Sequence, residues 1–335
     1  MTRTATSGWR RIALTVIGTA VALGLAGPAA AAEKVVFGLD WQVLGRHAGY
    51  ILAHERGFYT DEGLDVEIQR GYGSADAVKR VAAGTVTFSF GDAGSLVIAR
   101  TESIKVKLVA MVYGRAPHAL WIRRDAGVQK PTDLEGKTIG GSAGSAVRVL
   151  FPAFAKLAGV DASKVKWLTL DAASLYPTLF SKRIDAMVDF VPGWPTVSKR
   201  AAEAKVELQR MMYVDYGFTV YSNGVLAREE TIRDKPETVR KFVAATLKGL
   251  DLAFKSPAEA AQALKKRYPE VDEETARAEV EIVRDLAWTD EAKKNGLGFM
   301  SADKMKATRD IMTEAYNLKI MVPVDDLYTN AFLPK

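Results

Sequence analysis

The residues best suited to binding a small molecule lie directly after a short apolar run. Asp40 and Trp41 follow the run at residues 35–39. Trp41 offers a flat face to an aromatic ring, and Asp40 offers a carboxylate to an amine or a ring N–H. An aromatic wall with few polar groups is typical of ligand pockets. The pair could instead be structural, with Trp41 packed at a domain edge and Asp40 capping the next helix.

Two segments rich in glycine and serine also follow apolar runs. One contains Gly91 and Asp92, and the other contains Ser142 and Ser145. Backbone N–H groups at a strand-to-helix turn can bind an anionic or carbonyl group. Each segment could equally be a tight turn with a serine that caps the following helix. We expect at least one of the two segments to contact a ligand.

A third group of candidates lies later in the chain. Asp189, Phe190 and Trp194 fall in a segment where aromatic residues alternate with proline. These residues could form the opposite wall of a cleft, or Phe190 could belong to the core. The further candidates, chosen by position near strand ends, are Tyr113, Tyr221, Asn223 and His47.

Several classes of function lack the residues they need. The chain has no cysteine and only three scattered histidines, which argues against a metal site. It contains no His-Glu-x-x-His motif. The net charge of +6 includes three arginines within residues 1–32, so the remainder carries +3 without a basic stripe for nucleic acid. We therefore expect a binding protein without cofactor, metal or nucleic-acid partner.

The N-terminal residues have the layout of an export signal. Three arginines precede or flank an uncharged run at residues 12–27, which is followed by Ala30 and Ala32. Small residues at those two positions predict cleavage before Glu33. We expect residues 1–32 to be a signal peptide and the protein to be periplasmic, with no lipid-bearing cysteine.

The elements that position these residues alternate between strands and helices. Periodicity predicts strands at residues 35–39, 64–68, 86–90, 120–123, 138–140, 165–170, 185–190 and 219–222. Helices are expected between most of these strands, and residues 236–254 carry an apolar stripe of helical period. This alternation predicts an α/β fold with mainly parallel sheets, whose ligands lie beyond the carboxyl ends of the strands.

Four segments in order resemble a known class of proteins. They are Gly38-Leu39-Asp40-Trp41, His47-Ala48-Gly49-Tyr50, residues 57–68 and residues 131–140. Together they resemble importer-associated binding proteins of the nitrate/sulfonate/taurine and thiamine-pyrimidine-precursor class.

The resemblance implies a two-lobed periplasmic-binding-protein fold, type II like, with two crossovers between the lobes. Lobe one would comprise residues 33–122 and 223–335, and lobe two residues 123–222, with crossovers at 121–124 and 221–224. It also implies a monomer that closes over a small-molecule ligand and delivers it to the permease of an ABC transporter.

Within this class, the pair Asp40 and Trp41 followed by His47 is more similar to the pyrimidine-precursor branch. That similarity implies a heteroaromatic ligand such as a thiamine pyrimidine precursor. A sulfonate, nitrate or taurine ligand is the alternative, with anion contacts from the Gly-Ser segments and Arg148. An exported enzyme on the same fold is a further alternative. The related enzyme relies on a cysteine-rich segment, and this chain has no cysteine.

Overall fold

The structure is a computed structural model that describes residues 1–2, 4–5 and 31–334. Most of the predicted signal peptide, including its apolar run, lies outside the described residues. Residues from Ala32 onward form one structural unit that contains both sheets. Within the described ranges, no helix has the length and apolar character needed to cross a membrane.

The first sheet contains β1 (Glu33–Gly38), β2 (Leu64–Gln69), β3 (Phe88–Asp92), β4 (Val106–Met111) and β10 (Asn223–Arg228). Its order is β2-β1-β3-β10-β4, and only β10 runs antiparallel to its neighbours. Every residue of central β3 is buried, because helices cover both faces there. Edge strand β2 alternates between buried and exposed residues.

The second sheet contains β5 (His118–Arg123), β6 (Thr138–Gly141), β7 (Lys166–Thr169), β8 (Ala186–Phe190) and β9 (Leu208–Met212). Its order is β7-β6-β8-β5-β9, and β5 is its one antiparallel strand among the described residues. We call the part built on the first sheet lobe one and the part built on the second sheet lobe two. The predicted α/β fold with mainly parallel sheets is confirmed.

Fourteen α-helices are formed by the described residues. They are α1 (Ala48–Glu55), α2 (Phe58–Asp61), α3 (Ser74–Ala82), α4 (Ala93–Arg100), α5 (Ala146–Val149), α6 (Phe151–Ala158), α7 (Ala172–Phe180), α8 (Trp194–Glu203), α9 (Glu229–Asp234), α10 (Pro236–Lys255), α11 (Pro257–Arg267), α12 (Glu273–Ala287), α13 (Asp290–Asn295) and α14 (Ala302–Tyr316). Short 3-10 segments include Gly45–His47 and Val191–Gly193. The last six helices return to lobe one, and α12 and α14 also contact lobe two.

The chain passes between the sheets at places that differ from the prediction. Residues 121–124, where we expected the first crossover, include the end of β5 in the second sheet, so this passage lies at residues 112–117 instead. The second passage runs through residues 213–222. The predicted strand at 219–222 is not formed, because the N–H of Tyr221 donates to Thr308 and that of Ser222 donates to the carbonyl of Tyr113. β4, β9 and β10 were not predicted.

The core of lobe one is assembled around helix α10. Phe242 stacks on Phe88 with ring centroids 4.2 Å apart and meets the edge of Phe37. Burying one such side chain stabilises the fold by about 2–3 kcal/mol. Gly249 allows α10 to approach α1, since a Cβ at this position would lie 2.3 Å from the Cβ of Ala53. This packing fixes the carboxyl end of β1, where Asp40 follows.

The C-terminal segment covers one edge of the first sheet. Leu108 of β4 donates its N–H to the carbonyl of Leu327, and Thr329 donates to the carbonyl of Leu108. Tyr328 forms the corresponding parallel bridge. The edge of β4 is therefore paired over this stretch.

Candidate functional site

A small cavity lies between the lobes, beyond the carboxyl ends of β1 and β8, and we call it the inner cavity. Lobe one supplies Asp40, Trp41, Arg46, Gly73 and Ser74 to its lining. Lobe two supplies Ser145, Ala146, Val147, Val188, Asp189 and Phe190. Its volume of about 20 Å³ accommodates roughly one water molecule, so entry of a larger ligand requires the lobes to separate.

The Asp40 carboxylate is fixed by two neutral side chains. His47 donates from Nε2 to Asp40 Oδ1 at 2.8 Å, and Asn223 donates from Nδ2 to Oδ2 at 2.9 Å. The backbone N–H of Leu44 donates to His47 Nδ1, which places the ring proton on Nε2. Burial lowers the pKa of His47 despite the nearby carboxylate, so the ring is neutral. Asp40 therefore enters the cavity in one fixed orientation.

Arg46 and Asp189 form an ion pair across the cavity. Arg46 Nη1 donates to Asp189 Oδ1 at 3.0 Å, and the N–H of Phe190 donates to the same oxygen at 2.7 Å. Burial acts to lower the pKa of Arg46, but the carboxylates of Asp189 and Asp40 outweigh it and the net pKa is raised. Arg46 is therefore charged at every physiological pH, and the pair joins lobe one to lobe two.

A second contact between the lobes lies beside this ion pair. Thr196 of α8 donates to Glu279 Oε1 at 2.5 Å, and the N–H of Arg46 donates to Glu279 Oε2 at 3.1 Å. Glu279 is fully buried, and burial raises the pKa of its carboxyl to about 7 against the opposing effects of Arg46 and Thr196. We call Arg46, Asp189, Thr196 and Glu279 the interlobe cluster.

Several polar atoms at the inner cavity have no partner among the described residues. Arg46 Nε and Ser74 Oγ are buried and unpaired within those ranges. The hydrogen bonds that the described residues make to Asp189 all reach Oδ1, which leaves Oδ2 available as an acceptor. The cavity thus combines a donor, an acceptor and a hydroxyl with the half-buried ring of Trp41.

The lobes also meet backbone to backbone. The N–H of Ala75 donates to the carbonyl of Gly144 at 3.2 Å. Gly73 has a φ of +127°, and a Cβ there would lie 2.1 Å from the same carbonyl oxygen. Only glycine therefore permits this approach.

Asp92 anchors the crossovers from behind the cavity. Its Oδ1 accepts the N–H of Ser95 at the start of α4, and its Oδ2 accepts the hydroxyl of Ser222 at 2.8 Å. His118 Nε2 lies 3.3 Å from Oδ2. The N-cap of α4 is therefore Asp92 and not a serine as in the structural alternative, and Asp92 is completely buried. Over the described ranges, no cluster of three or more His, Asp or Glu is placed to hold a metal ion.

The structure brings some predicted residues to the cavity and places others elsewhere. Asp40, Trp41, Ser145, Asp189 and Phe190 line it. His47 and Asn223 hold Asp40, as described above. For all of these residues, ligand contact stays a prediction.

Three aromatic candidates lie at different distances from the cavity. Tyr113 packs edge-on against Phe90 and Phe190, behind the cavity wall. Trp194 packs against Trp121, and it is absent from the cavity lining. Tyr221 is also placed away from it, because its hydroxyl accepts the N–H of Ser301 in the C-terminal helical region.

The two remaining candidates are small residues. Gly91 lies within β3, where a Cβ would be 2.7 Å from Leu226 Cδ1, so its role is close packing in the sheet. Ser142 has a buried hydroxyl without a partner in the described part of the chain, and it lies outside the cavity lining. Gly91 and Ser142 therefore both lie outside the lining of the inner cavity.

A family model described as NMT1/THI5 like matches residues 45–260, which is more than half of the chain. The chain belongs to the NMT1/THI5-like family. This match confirms the resemblance to the family and includes three of the four segments that carried it, residues 47–50, 57–68 and 131–140.

Curated relatives of this family member are similar over most of its length. The riboflavin-binding protein RibY of Chloroflexus aurantiacus is 26% identical over 90% of this chain and 86% of its own. The formylaminopyrimidine-binding protein of Halalkalibacterium halodurans is 26% identical over 70% of each chain. The 4-amino-5-hydroxymethyl-2-methylpyrimidine phosphate synthase of Legionella pneumophila is 22% identical over 71% of this chain and 75% of its own.

Solved structures share the same two-lobed architecture. The alkanesulfonate-binding protein SsuA from Xanthomonas axonopodis pv. citri, bound to MOPS, has a TM-score of 0.70 at 14% identity. The match covers 90% of this chain and 99% of that protein. The predicted periplasmic-binding-protein fold is thereby confirmed for this family member.

Sequence reasoning missed four residues that this family member places at the site. Arg46 and Ser74 line the cavity, and Thr196 and Glu279 complete the interlobe cluster. Glu279 carried a usable signal, because it lies on the buried face of α12 beside Ala276 and Val283. A charged residue on an apolar stripe requires a polar partner. Arg46, Ser74 and Thr196 carried no comparable pattern.

Proposed function

We propose that this chain captures a small nitrogen heteroaromatic molecule, such as a thiamine pyrimidine precursor, in the inner cavity. The supporting observation is the set of unpaired polar atoms around Trp41. An aminopyrimidine can donate from its amino group to Asp189 Oδ2 and accept from Arg46 Nε at a ring nitrogen, while its ring stacks on Trp41. Ser74 can serve either role.

The ligand acts by bringing the lobes together. Because the cavity walls come from both lobes, a ligand held between them contacts both and favours a closed arrangement, which must be wider than the present one because a cavity of about 20 Å³ holds only a water molecule. The crossovers at residues 112–117 and 213–222 are the segments that absorb the motion. We propose that the permease of an ABC importer recognises this form in the periplasm. The relatives named for riboflavin and formylaminopyrimidine, both nitrogen heterocycles, support this ligand class.

A sulfonate, nitrate or taurine ligand has less support from the cavity. Asp40 and Asp189 bring two carboxylates to the lining against the one guanidinium of Arg46, which opposes an anion. Arg148, our expected anion contact, instead donates to the carbonyl of Gly141 and the hydroxyl of Thr169. Arg148 is therefore engaged within lobe two.

Binding measurements on refolded protein test the proposal. We expect 4-amino-5-hydroxymethyl-2-methylpyrimidine, its formylaminomethyl counterpart or riboflavin to raise the melting temperature, and taurine and nitrate to leave it unchanged. Trp41→Ala should weaken binding by calorimetry about tenfold or more, the loss of one aromatic stacking contact. Trp194→Ala is the matched control, because Trp194 lies outside the inner cavity.

Equal affinities of the wild type and Trp41→Ala would refute the assigned site. If only taurine or nitrate stabilised the protein, the ligand would instead be assigned to the anionic class. Mass spectrometry of the recovered ligand separates binding from catalysis, since an enzyme such as the synthase relative would return a changed molecule.

A further inference from the structure

A second and larger cleft lies between the lobes, on the other side of the loop at residues 41–46; we call it the outer cleft. Its volume is about 570 Å³, against about 20 Å³ for the inner cavity. Cavities of a few hundred Å³ are the usual size for small-molecule sites. Residues 42–45 and Tyr268 form its lobe-one wall, and Tyr176 belongs to its lobe-two wall. None of the residues predicted from sequence to bind ligand lines it.

Each lobe contributes one arginine whose hydrogen-bonding edge is unused. Arg70 of lobe one stacks on Tyr72, with its guanidinium carbon 4.8 Å from the ring centre. Arg200 of lobe two stacks on Tyr176 at 5.4 Å. Neither side chain makes a hydrogen bond or a carboxylate contact with any residue in the described part of the chain, although both line the outer cleft. Stacking occupies the face of a guanidinium and leaves its N–H groups free.

This arrangement differs from that of the paired arginines in the protein. Arg123, for example, donates to Asp125 and Asp185, and Arg46 donates to Asp189. An unpaired guanidinium held flat by an aromatic ring is suited to a planar or tetrahedral oxyanion, which it can bind through two parallel N–H groups.

The charges around the cleft favour an anion only moderately. Glu270 is the one carboxylate in the lining, and it is exposed, as are Arg70 and Arg200. Asp272 forms an ion pair with Lys199 at 2.7 Å. The pKa of the Asp171 carboxyl is lowered mainly by the hydrogen bond from the Ser174 N–H, and the charge of Arg70 also contributes to lowering it. The two arginines therefore exceed the lining carboxylates by one charge, in a cleft whose walls concentrate the field.

We infer that the outer cleft binds a phosphate or carboxylate group between Arg70 and Arg200. Because the two arginines come from different lobes, an anion there stabilises the arrangement in which the lobes touch. The anion is either a free ion or the charged group of an organic ligand. If the anion is the charged group of an organic ligand, the inference rests on the proposed function and narrows its ligands to phosphorylated or carboxylated heteroaromatic molecules.

Inorganic phosphate tests the cleft independently of any organic ligand. We expect millimolar phosphate, at constant ionic strength, to raise the melting temperature of the wild type, and Arg70→Gln and Arg200→Gln to remove most of that rise. Arg210→Gln is the matched control, because Arg210 stacks on Trp194 and lies outside the cleft. Glu270→Gln should increase the response, since it removes the opposing charge. A response of equal size in all five proteins would overturn a phosphate site at these arginines.

An alcohol and its phosphate ester distinguish the two sources. We expect 4-amino-5-hydroxymethyl-2-methylpyrimidine phosphate to bind about tenfold or more tightly than the unphosphorylated alcohol, as one charge-assisted hydrogen bond provides. Arg70→Gln and Arg200→Gln should abolish this difference while leaving the affinity for the alcohol unchanged. A response to free phosphate with equal affinities for ester and alcohol would assign the cleft to a free ion.

The two proposals fail in different ways. If the alcohol and the ester bind equally and phosphate gives no arginine-dependent response, the outer cleft is refuted while the inner-cavity proposal stands. If neither pyrimidine binds, the proposed ligand is refuted. The arginine-dependent response to inorganic phosphate then tests by itself whether the outer cleft binds an anion.

Discussion

Replacing Glu279 with glutamine removes an ionisable group from the interlobe cluster and keeps its shape. The amide can still accept the N–H of Arg46 and contact the hydroxyl of Thr196. Glu279 is fully buried, and burial is the main cause of its raised pKa. The substitution therefore isolates the cost of ionising this one carboxyl inside the protein.

The expected magnitude follows from the pKa values. The carboxyl titrates near 7 in the folded protein against an ordinary value of 4.5, a rise of about 2.5. At about 1.4 kcal/mol for each pKa unit, this is about 3 kcal/mol. Because the folded pKa is the higher one, the stabilising effect of the protonated carboxyl is complete below pH 4.5 and is lost as the pH rises through 7.

Urea denaturation between pH 4 and pH 8 measures this effect. We expect Glu279→Gln and the wild type to have similar free energies of unfolding near pH 4, and the variant to be more stable by up to about 3 kcal/mol at pH 8. Glu281→Gln is the control on the same helix, because Glu281 is partly exposed and paired with Arg277. A stability difference that does not change with pH, or a variant less stable at pH 8, would show that Arg46 fully compensates the buried charge.

Two substitutions test the contacts that bring the lobes and the core together. Gly73→Ala should weaken ligand binding about tenfold or more, because its Cβ would lie 2.1 Å from the carbonyl oxygen of Gly144 and hold the lobes apart. Gly159→Ala is the control, because Gly159 also has a positive φ but a Cβ there would have no neighbour within 4 Å. Calorimetry should show unchanged ligand affinity for this variant. Similar losses of affinity in both variants would contradict a role for the contact between Gly73 and Gly144 in closing the lobes. Phe242→Ala should lower the free energy of unfolding by about 3–5 kcal/mol in urea, and a loss below about 1 kcal/mol would contradict its central place in lobe one.

Several ligand-binding candidates were chosen because they follow strands, and their contact with a ligand stays a prediction. Asp40, Trp41 and Asp189 reach the inner cavity because each lies at the carboxyl end of a parallel strand, where the direction of the chain determines the position of the side chain. Tyr221 was misplaced for the opposite reason. It precedes β10, so it lies at the amino end of an antiparallel strand, and its partners come from helices whose packing no local pattern reveals.

Local sequence patterns did not predict the contacts between segments that are distant in the chain. The pairing of Arg46 with Asp189 joins a short 3-10 segment to the end of a strand in the other lobe. The first crossover was misplaced because β5 has the same apolar character as the strands of lobe one, and its pairing with β8 and β9 becomes apparent only in the folded sheet. Sheet membership depends on long-range pairing, which the composition of a single strand does not encode.

The two edges of the first sheet are kept from pairing with other molecules in different ways. Along β4, the backbone of residues 327–329 already occupies hydrogen-bonding groups that an incoming strand would need. Along β2, the exposed side chains of Asp65 and Glu67 place negative charge beside the open edge. Unprotected edges of this kind favour aggregation. Shortening the chain before residue 327 would thus expose the edge of β4, and we expect the shortened protein to associate edge to edge at high concentration.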